Sequence, residues 1–194
     1  MLEAVAVRAR RVAAWPNVLH FLLFVLSLSL AFSSYNGTLF GWHPFCMAIG
    51  YLFFMGEGLI SAWAIRTTAG EERLRGLDMH ALMQLRAVVL IAIGAGVIIH
   101  NKNLNHKAHF KTLHGKLGLL TLVLTGLSPL LGAISFRKLG LLQRFPEQWH
   151  SRLKKAHRVA FATPAWQVGT AAAGGLMVTL LYGRIRRQGV LKGV

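Results

Sequence analysis

The stretch HNKNLNHKAHFKTLHGKLGLLTLVLTGLSPLL, residues 100–131, joins a histidine-rich polar segment to a long apolar run. Its last histidine, His114, stands where the apolar run begins. The same arrangement recurs three times, with a histidine near the start of each further run: His43, His80 and His157. Four successive hydrophobic segments that each begin with a histidine are therefore the main feature of the chain.

The composition indicates a membrane protein. Of the 194 residues, 54% are hydrophobic and 14% are charged, and the mean hydropathy is +0.49, whereas soluble domains carry about 25% charge. Apolar runs of about 20 residues are typical of transmembrane helices. None of the runs alternates with period two, so a β-barrel is not indicated. We predict an all-α, polytopic transmembrane helical bundle.

The formal net charge of +16 does not indicate nucleic-acid binding, because the basic residues cluster between the apolar runs. Such flanks suit the cytoplasmic face of a membrane and anionic lipid. We therefore expect a lipid bilayer and no nucleic acid as partner. The single cysteine, Cys46, lies inside an apolar run, which predicts neither a disulfide framework nor a thiolate metal site.

The apolar runs predict one transmembrane domain, 16–182, between a cytoplasmic N-terminal segment, 1–15, and a basic tail, 183–194. Its predicted helices span about 17–33, 43–65, 79–99, 114–136 and 157–182. The connections include a basic-acidic linker over 66–78 and a histidine-rich loop over 100–113. The first apolar run also fits a cleaved secretory signal, but we favour a retained helix.

Counting Lys and Arg orients the bundle. With the N-terminus in the cytoplasm, the cytoplasmic segments hold thirteen such residues and the opposite side holds eight. This favours a cytoplasmic N-terminus. The tail is the exception, because an odd number of helices places its basic cluster RIRR on the non-cytoplasmic side, where the rule disfavours it.

Alternating helix direction sorts the four histidines into two pairs. His43 and His114 begin helices that start on the non-cytoplasmic side, whereas His80 and His157 begin helices that start on the cytoplasmic side. Two facing imidazoles can fill both axial positions of a haem iron, which favours electron transfer over oxygen chemistry. We predict two haem b groups, with irons roughly 20 Å apart in a hydrocarbon core about 30 Å thick.

Two further histidines bear on this prediction. His150 competes with His157 as a ligand but lies two turns earlier, in a polar connection, so we favour His157. His20 has no obvious partner, and we expect it to be structural. The alternative for all four ligand candidates is that each is an ordinary residue of a helix end at the polar interface.

Glu57 and Arg86 are the charged residues well inside the second and third runs. Both lie roughly 10–12 Å from the cytoplasmic helix ends, at 1.5 Å per residue. An ion pair at matched depth offsets the cost of removing each charge from water. We predict that the two side chains touch, or that both contact a haem propionate.

Eleven glycines in the apolar runs admit two compatible interpretations: close helix packing or space for a flat porphyrin. They are Gly50, Gly56, Gly58, Gly94, Gly96, Gly115, Gly118, Gly126, Gly169, Gly174 and Gly175.

Four blocks of sequence together resemble the cytochrome b-561 family, whose members are dihaem transmembrane electron carriers that use ascorbate. The blocks are WHPFCMAIGYLFFMGEGLISAWAIR, MHALMQL, HNKNLNHKAHFKTLHGKLG and the His-Arg pair at residue 157. The similarity covers roughly 38–175 and is closest to the shorter, domain-only members. It implies the same ligand pairs, His43 with His114 and His80 with His157.

The resemblance also implies the substrates. Ascorbate would donate one electron on the cytoplasmic side, where Arg75 matches a basic position and Arg73 lies beside it. Glu71 stands where another lysine is expected. His100 matches a loop histidine linked to the acceptor, which is monodehydroascorbate or a ferric chelate. The alternative for Arg73 and Arg75 is a basic cytoplasmic flank. The family's sixth helix, which supplies no haem ligand, has no counterpart in the sequence.

The resulting hypothesis is an ascorbate-dependent transmembrane oxidoreductase of endomembranes or the plasma membrane, with homodimerisation left open. Two alternatives from other classes remain. One is a non-redox membrane protein whose histidines carry protons or a transition metal. The other is a haem-bearing anchor subunit that passes electrons to quinone.

Overall fold

The computed structural model describes residues 2–162, and all regular secondary structure in this part of the chain is helical. The all-α class is therefore confirmed. Two short 3₁₀ turns, Arg137–Leu139 and Leu141–Arg144, connect the last two helices. The helices are α1 (Leu2–Ser34), α2 (Leu39–Ala64), α3 (Gly70–Leu104), α4 (Leu113–Ser135) and α5 (Glu147–Ala162).

Four of these helices are long and apolar enough to cross a membrane: α1 over Asn17–Ser34, and α2, α3 and α4 over their whole lengths. Many of their large apolar side chains are exposed, such as Phe21, Phe32, Leu85 and Leu130. Outward-facing apolar side chains on a helical bundle suit a hydrocarbon solvent. The chain is a multi-pass integral membrane protein.

The predicted helix 157–182 differs from the structure at its start. Helix α5 begins ten residues earlier, at Glu147, so His150 and His157 share one helix. The polar residues before His157 are good helix formers, and hydropathy marks where a helix enters lipid rather than where it begins. The remainder of the predicted helix and the basic tail, 183–194, lie outside the described residues.

Helix α3 is also longer than predicted. The expected linker becomes helical from Gly70, and the first residues of the expected histidine-rich loop, including His100, are helical as far as Leu104. Glu71 and Glu72 lie in the first turn and Lys102 in the last, where each charge favours the helix dipole. His100 is therefore a helical residue and not a loop residue.

Helix α2 runs continuously from a Thr38 cap, whose Oγ1 accepts a hydrogen bond from Gly41 N at 3.3 Å. Its middle, Ala48–Met55, adopts the wider π-helical winding. Such widened turns inside helices occur often at functional sites. Here the widened segment separates the half of α2 that contains His43 from the half that contains Glu57.

Small residues hold α2 and α3 together. A Cβ atom on Gly50 would lie 2.8 Å from Ile91 Cγ1, and one on Gly94 would lie 2.9 Å from Cys46 Cβ. The packing interpretation of these two glycines is therefore correct. Buried Met55 lies beside this contact and completes a small core with α3.

The described helices form two closely packed pairs. Helix α2 packs extensively on α3, and α4 packs on α5, whereas contacts of α4 with α2 and α3 are sparse. Helix α1 covers the outer side of α2, with Leu30 and Ala31 against Ala48. Between the two pairs, Tyr51 Oη and Thr125 Oγ1 form a hydrogen bond at 3.0 Å, and Lys138 Nζ of the α4–α5 connection donates to Asp78 Oδ2 of α3 at 2.7 Å. The four candidate histidines lie on the two sides of this sparsely filled space.

Candidate functional site

The structure brings the four histidines together as two facing pairs. The His43 and His114 ring centroids are 6.4 Å apart with an interplanar angle of 80°. The His80 and His157 ring centroids are 6.3 Å apart with an angle of 70°. The pairs lie at opposite ends of the bundle, which we name the His43 end and the His80 end.

The spacing within each pair suits one metal ion between the two rings. A metal–imidazole bond is about 2.0–2.1 Å long, and the ring centre lies about 1.2 Å behind the bound nitrogen, so two imidazoles on opposite sides of one metal have centroids about 6.4 Å apart. The measured 6.4 Å and 6.3 Å agree with this distance. Two rings in direct van der Waals contact could approach more closely.

Backbone carbonyls orient three of the four rings. His43 Nδ1 donates to Gly94 O at 2.9 Å and His80 Nδ1 donates to Gly58 O at 2.7 Å. His157 Nδ1 donates to the carbonyl oxygen of Ser128 at 3.1 Å. A ring that donates from Nδ1 keeps Nε2 unprotonated, which is the form that binds a metal. These three hydrogen bonds assign the tautomer that a metal ligand needs.

His114 is held differently. It is the second residue of α4, whose first turn is capped by Thr112 through a hydrogen bond from Gly115 N to Thr112 Oγ1 at 3.1 Å. Within the described residues no hydrogen bond to the His114 ring is present, and its side chain is exposed. The position of this ring therefore depends on the cap and on whatever fills the space in front of it.

Gly132 was missed in the sequence interpretation. A Cβ atom at this position would lie 3.0 Å from His157 Cε1, so a side chain here would push the ring out of line. Gly132 lies one turn after Ser128, the residue that receives the His157 hydrogen bond. A glycine four residues after a serine in an apolar helix is too common a pattern to have revealed this role.

The space between the helix pairs has polar and open positions that suit a haem. Ser128 Oγ and Ser135 Oγ are buried, and neither has a hydrogen-bond partner among the described residues. Both lie on the face of α4 that contains Gly132, since positions three and four apart share a face. A Cβ atom on Gly118, one turn after His114 on the same helix, would meet nothing within 4 Å. The residues present therefore fit a flat group with acidic substituents.

The intramembrane charges are arranged differently from the prediction. Glu57 Oε2 lies 2.5 Å from His20 Nδ1, whereas the guanidinium of Arg86 lies 5.9 Å from the centre of the Phe54 ring. The ion pairs of the described residues include none between Glu57 and Arg86. Glu57 thus contacts His20 and not Arg86, which hydropathy could not reveal because α1 and α2 meet through tertiary packing. The alternative, that Glu57 and Arg86 both contact a haem propionate, stays a prediction.

The candidate substrate residues lie at opposite ends of α3. Arg73 Nη1 donates to Ile65 O at 2.5 Å, and Arg75 Nη2 lies 3.9 Å from Glu71 Oε2. Both arginines are exposed at the His80 end. His100 is exposed at the His43 end, about 40 Å along the helix from Arg75.

The alternative ligand His150 does not reach His80. Its Nε2 lies 2.8 Å from Phe145 O, one turn back in the connection before α5. Within the described residues, no three His, Cys, Asp or Glu side chains converge on a common point as ligands of a metal ion. The arrangement is one of separate histidine pairs.

Membrane-length helices and two pairs of facing histidines define this chain as a polytopic membrane protein with candidate bis-histidine sites. Comparison with known families gives the particular group. Residues 42–181 match the model of the eukaryotic cytochrome b561 family. The chain belongs to this family, and membership in a cytochrome b family implies binding of b-type haem.

Three curated relatives illustrate the similarity. The Transmembrane reductase CYB561D2 of Bos taurus is 33% identical over 138 residues, which are 69% of this chain and 59% of the relative. The Ascorbate-specific transmembrane electron transporter 2 of Zea mays is 31% identical over 133 residues, 68% of this chain and 54% of the relative.

The Lysosomal membrane ascorbate-dependent ferrireductase CYB561A3 of Danio rerio is 29% identical over 97 residues, 50% of this chain and 39% of the relative. The chain thus spans about half the length of the curated relatives that it matches.

Proposed function

We propose that the protein is a transmembrane oxidoreductase that passes single electrons from cytoplasmic ascorbate, through two b-type haems, to an acceptor on the other side. The observation that supports this most is the presence of two imidazole pairs with centroids 6.4 Å and 6.3 Å apart at opposite ends of one bundle. His43 with His114 would hold one haem, and His80 with His157 the other. Haem supplies the one-electron chemistry.

The protein's own contribution is ligation and placement. Two histidines per haem would occupy both axial positions, which favours electron transfer over reaction with oxygen. Gly58, which orients His80, lies on α2 about 20 Å along the helix from His43. The two haems would therefore lie near opposite faces of a hydrocarbon core about 30 Å thick. Such a spacing supports a path for electrons across the bilayer.

The substrates follow from the ends of the bundle and from the relatives. The Zea mays relative is named for ascorbate-specific electron transport and the Danio rerio relative for ascorbate-dependent ferric reduction. We assign the His80 end to the cytoplasm, where exposed Arg73 and Arg75 would attract anionic ascorbate. At the His43 end, His100 would lie near the acceptor, either monodehydroascorbate or a ferric chelate.

The test is an absorption spectrum and haem quantitation of the purified full-length chain. We expect two b-type haems per chain, with bis-imidazole bands that ascorbate reduces. His43→Ala and His80→Ala should each leave one haem per chain. His150→Ala is the matched control, because within the described part of the chain the His150 ring is hydrogen-bonded to the Phe145 carbonyl and faces no other histidine, and this variant should keep both haems.

Other results would contradict the proposal in distinct ways. A chain without haem would favour the proton or metal carrier among the alternatives. Haems that quinol reduces and ascorbate does not would favour the anchor subunit. Retention of both haems in His80→Ala would show that the ligand assignment is wrong.

A further inference from the structure

The contact between His20 of α1 and Glu57 of α2, which we name the His20–Glu57 pair, has no part in the electron path proposed above. Nδ1 of the imidazole lies 2.5 Å from Oε2 of the carboxylate. The other carboxylate oxygen, Oε1, is buried and has no hydrogen-bond partner among the described residues. An ionisable pair inside a membrane-spanning bundle is costly to maintain and is usually functional.

The pair lies next to one of the two candidate haem sites. Glu57 directly precedes Gly58, whose carbonyl oxygen accepts the hydrogen bond from His80 Nδ1 at 2.7 Å. The His43 site lies about 20 Å away along α2. A change of charge on the pair would therefore act strongly at the His80 site and weakly at the other.

The two members of the pair differ in exposure. The His20 side chain is 42% exposed, whereas that of Glu57 is 13% exposed. His20 is also the fourth residue of the candidate span Asn17–Ser34, so its imidazole lies near the membrane surface, where it can exchange protons with water, while the carboxylate lies deeper in the bundle. A proton that arrives at His20 has a direct route to Glu57 through the Nδ1–Oε2 hydrogen bond.

Few other charges surround the pair. On α3, the neighbouring ionisable groups are His80, whose ring contacts Gly58 O, and Arg86, whose guanidinium lies over Phe54. Within residues 17–34 of α1, His20 is the sole ionisable side chain. The other ionisable groups in this half of α3 lie near its first turns: Glu71, Glu72, Arg73, Arg75 and Asp78.

We propose that the His20–Glu57 pair is a proton-binding site that takes up one proton when the haem of His80 and His157 takes up one electron. The inference rests on the proposed function, since it requires that haem. The donor supplies the electron, and water at the His80 end supplies the proton through His20. When the electron moves on to the second haem, the pair returns the proton to the same side.

The physical reason is electrostatic. An electron added to a site in a medium of low dielectric constant raises the proton affinity of a nearby base. By reciprocity, a proton on that base raises the electron affinity of the haem. Full coupling of one proton to one electron changes the reduction equilibrium tenfold per pH unit, which is about 59 mV for a one-electron couple.

The experiment is a spectroscopic redox titration of the full-length, haem-loaded protein in lipid nanodiscs at a series of pH values. In the wild type, the midpoint potential of one haem should fall as pH rises. Glu57→Gln keeps the shape of the side chain but removes the proton site, so the potential of that haem should become independent of pH. His20→Asn should have the same effect.

Tyr51→Phe is the matched control. It removes the hydrogen bond to Thr125 from the same helix but leaves the carboxylate and the imidazole in place, so the pH dependence should persist. The inference would be overturned if the midpoint potentials of both haems in the wild type were independent of pH. It would also be overturned if Glu57→Gln and His20→Asn both kept the pH dependence of the wild type. Absence of haem would instead refute the proposed function.

Discussion

The ring of His157 contacts α4 at two points. Its Nδ1 donates to Ser128 O at 3.1 Å, and its Cε1 lies 3.0 Å from where a Cβ atom of Gly132 would be. The first contact sets the tautomer, and the second requires a glycine. The geometry of the His80–His157 pair thus depends on two residues of a helix that supplies neither of its rings.

Gly132→Val should therefore disrupt this pair. The added methyl groups would displace the His157 ring, and an axial ligand that is out of line weakens metal binding. With the two haems of the proposed function, we expect the haem content to fall from two per chain to about one, with the His43 site retained. The measurement is haem per chain after purification, together with the spectrum of the remaining haem.

Leu130→Val is the control for this substitution. It places the same side chain two residues earlier on α4, where Leu130 is exposed. Both haems should remain in this variant. Two haems in Gly132→Val would contradict the predicted role of the glycine.

The first turn of α4 positions His114 through the cap at Thr112. Thr112→Ala removes an N-cap hydrogen bond, which costs about 1 kcal/mol of helix stability. Because no hydrogen bond from the described residues holds the His114 ring, fraying of this turn should release the haem of the His43 end first on heating. The two haems can be followed by their absorption bands during a thermal melt.

Thr112→Ser retains the capping hydroxyl and should behave as the wild type does. If the two haems were released in the same order and at the same temperatures in Thr112→Ser and Thr112→Ala, the cap would not control the position of His114.

At the scale of elements, α2 and α3 form a closely packed unit in which a glycine on one helix faces a side chain of the other. A Cβ atom on Gly94 would lie 2.9 Å from Cys46 Cβ and 3.3 Å from His43 O. The carbonyl of the same glycine orients His43. The helix contact and the ligand orientation at the His43 end therefore share one residue.

Gly94→Leu should separate α2 from α3. Overpacking of a close contact typically costs about 1–3 kcal/mol, and here the displacement would also move the carbonyl away from His43. We expect a lower thermal midpoint in detergent and a loss of haem at the His43 end. Circular dichroism and haem content measure the two effects separately.

Gly96→Ala, two residues further on the same helix, is the contrasting substitution. A Cβ atom there meets nothing within 4 Å, and replacing a helical glycine with alanine gains roughly 0.5–1 kcal/mol. This variant should be as stable as the wild type or more stable. Equal destabilisation by Gly94→Leu and Gly96→Ala would argue against a specific contact at Gly94.

At the scale of the whole molecule, two closely packed helix pairs leave a sparsely filled space between them, and each end of that space has one histidine pair. The described interior has few buried large side chains. This is expected if a prosthetic group at each end completes the packing. Electron transfer across the bilayer would then require a prosthetic group at both ends.

Vesicles provide the corresponding test. With ascorbate enclosed and ferricyanide outside, the wild-type chain should reduce the external acceptor. His114→Ala and His80→Ala should each abolish transfer while retaining one haem, because electron transfer weakens steeply with distance and one haem leaves most of the bilayer uncrossed. Transfer in either variant at the wild-type rate would contradict a path through both haems.

The sequence by itself determined the all-α membrane class, four of the spans and the sorting of His43, His80, His114 and His157 into two pairs. The physical reason is that spans follow from the length of apolar runs, and alternating helix direction assigns each helix start to one face. The length of the apolar runs did not reveal that α3 and α5 begin earlier, since polar residues also form helices.

The tertiary structure alone decided which helix faces meet. The contact of Gly132 with His157 depends on how each helix is rotated about its axis. So does the contact of Glu57 with His20 rather than with Arg86. A continuous apolar run is nearly uniform around that axis and leaves the rotation open. Packing of small residues and pairing of the few buried polar groups determine the rotation, and both arise only when the helices assemble.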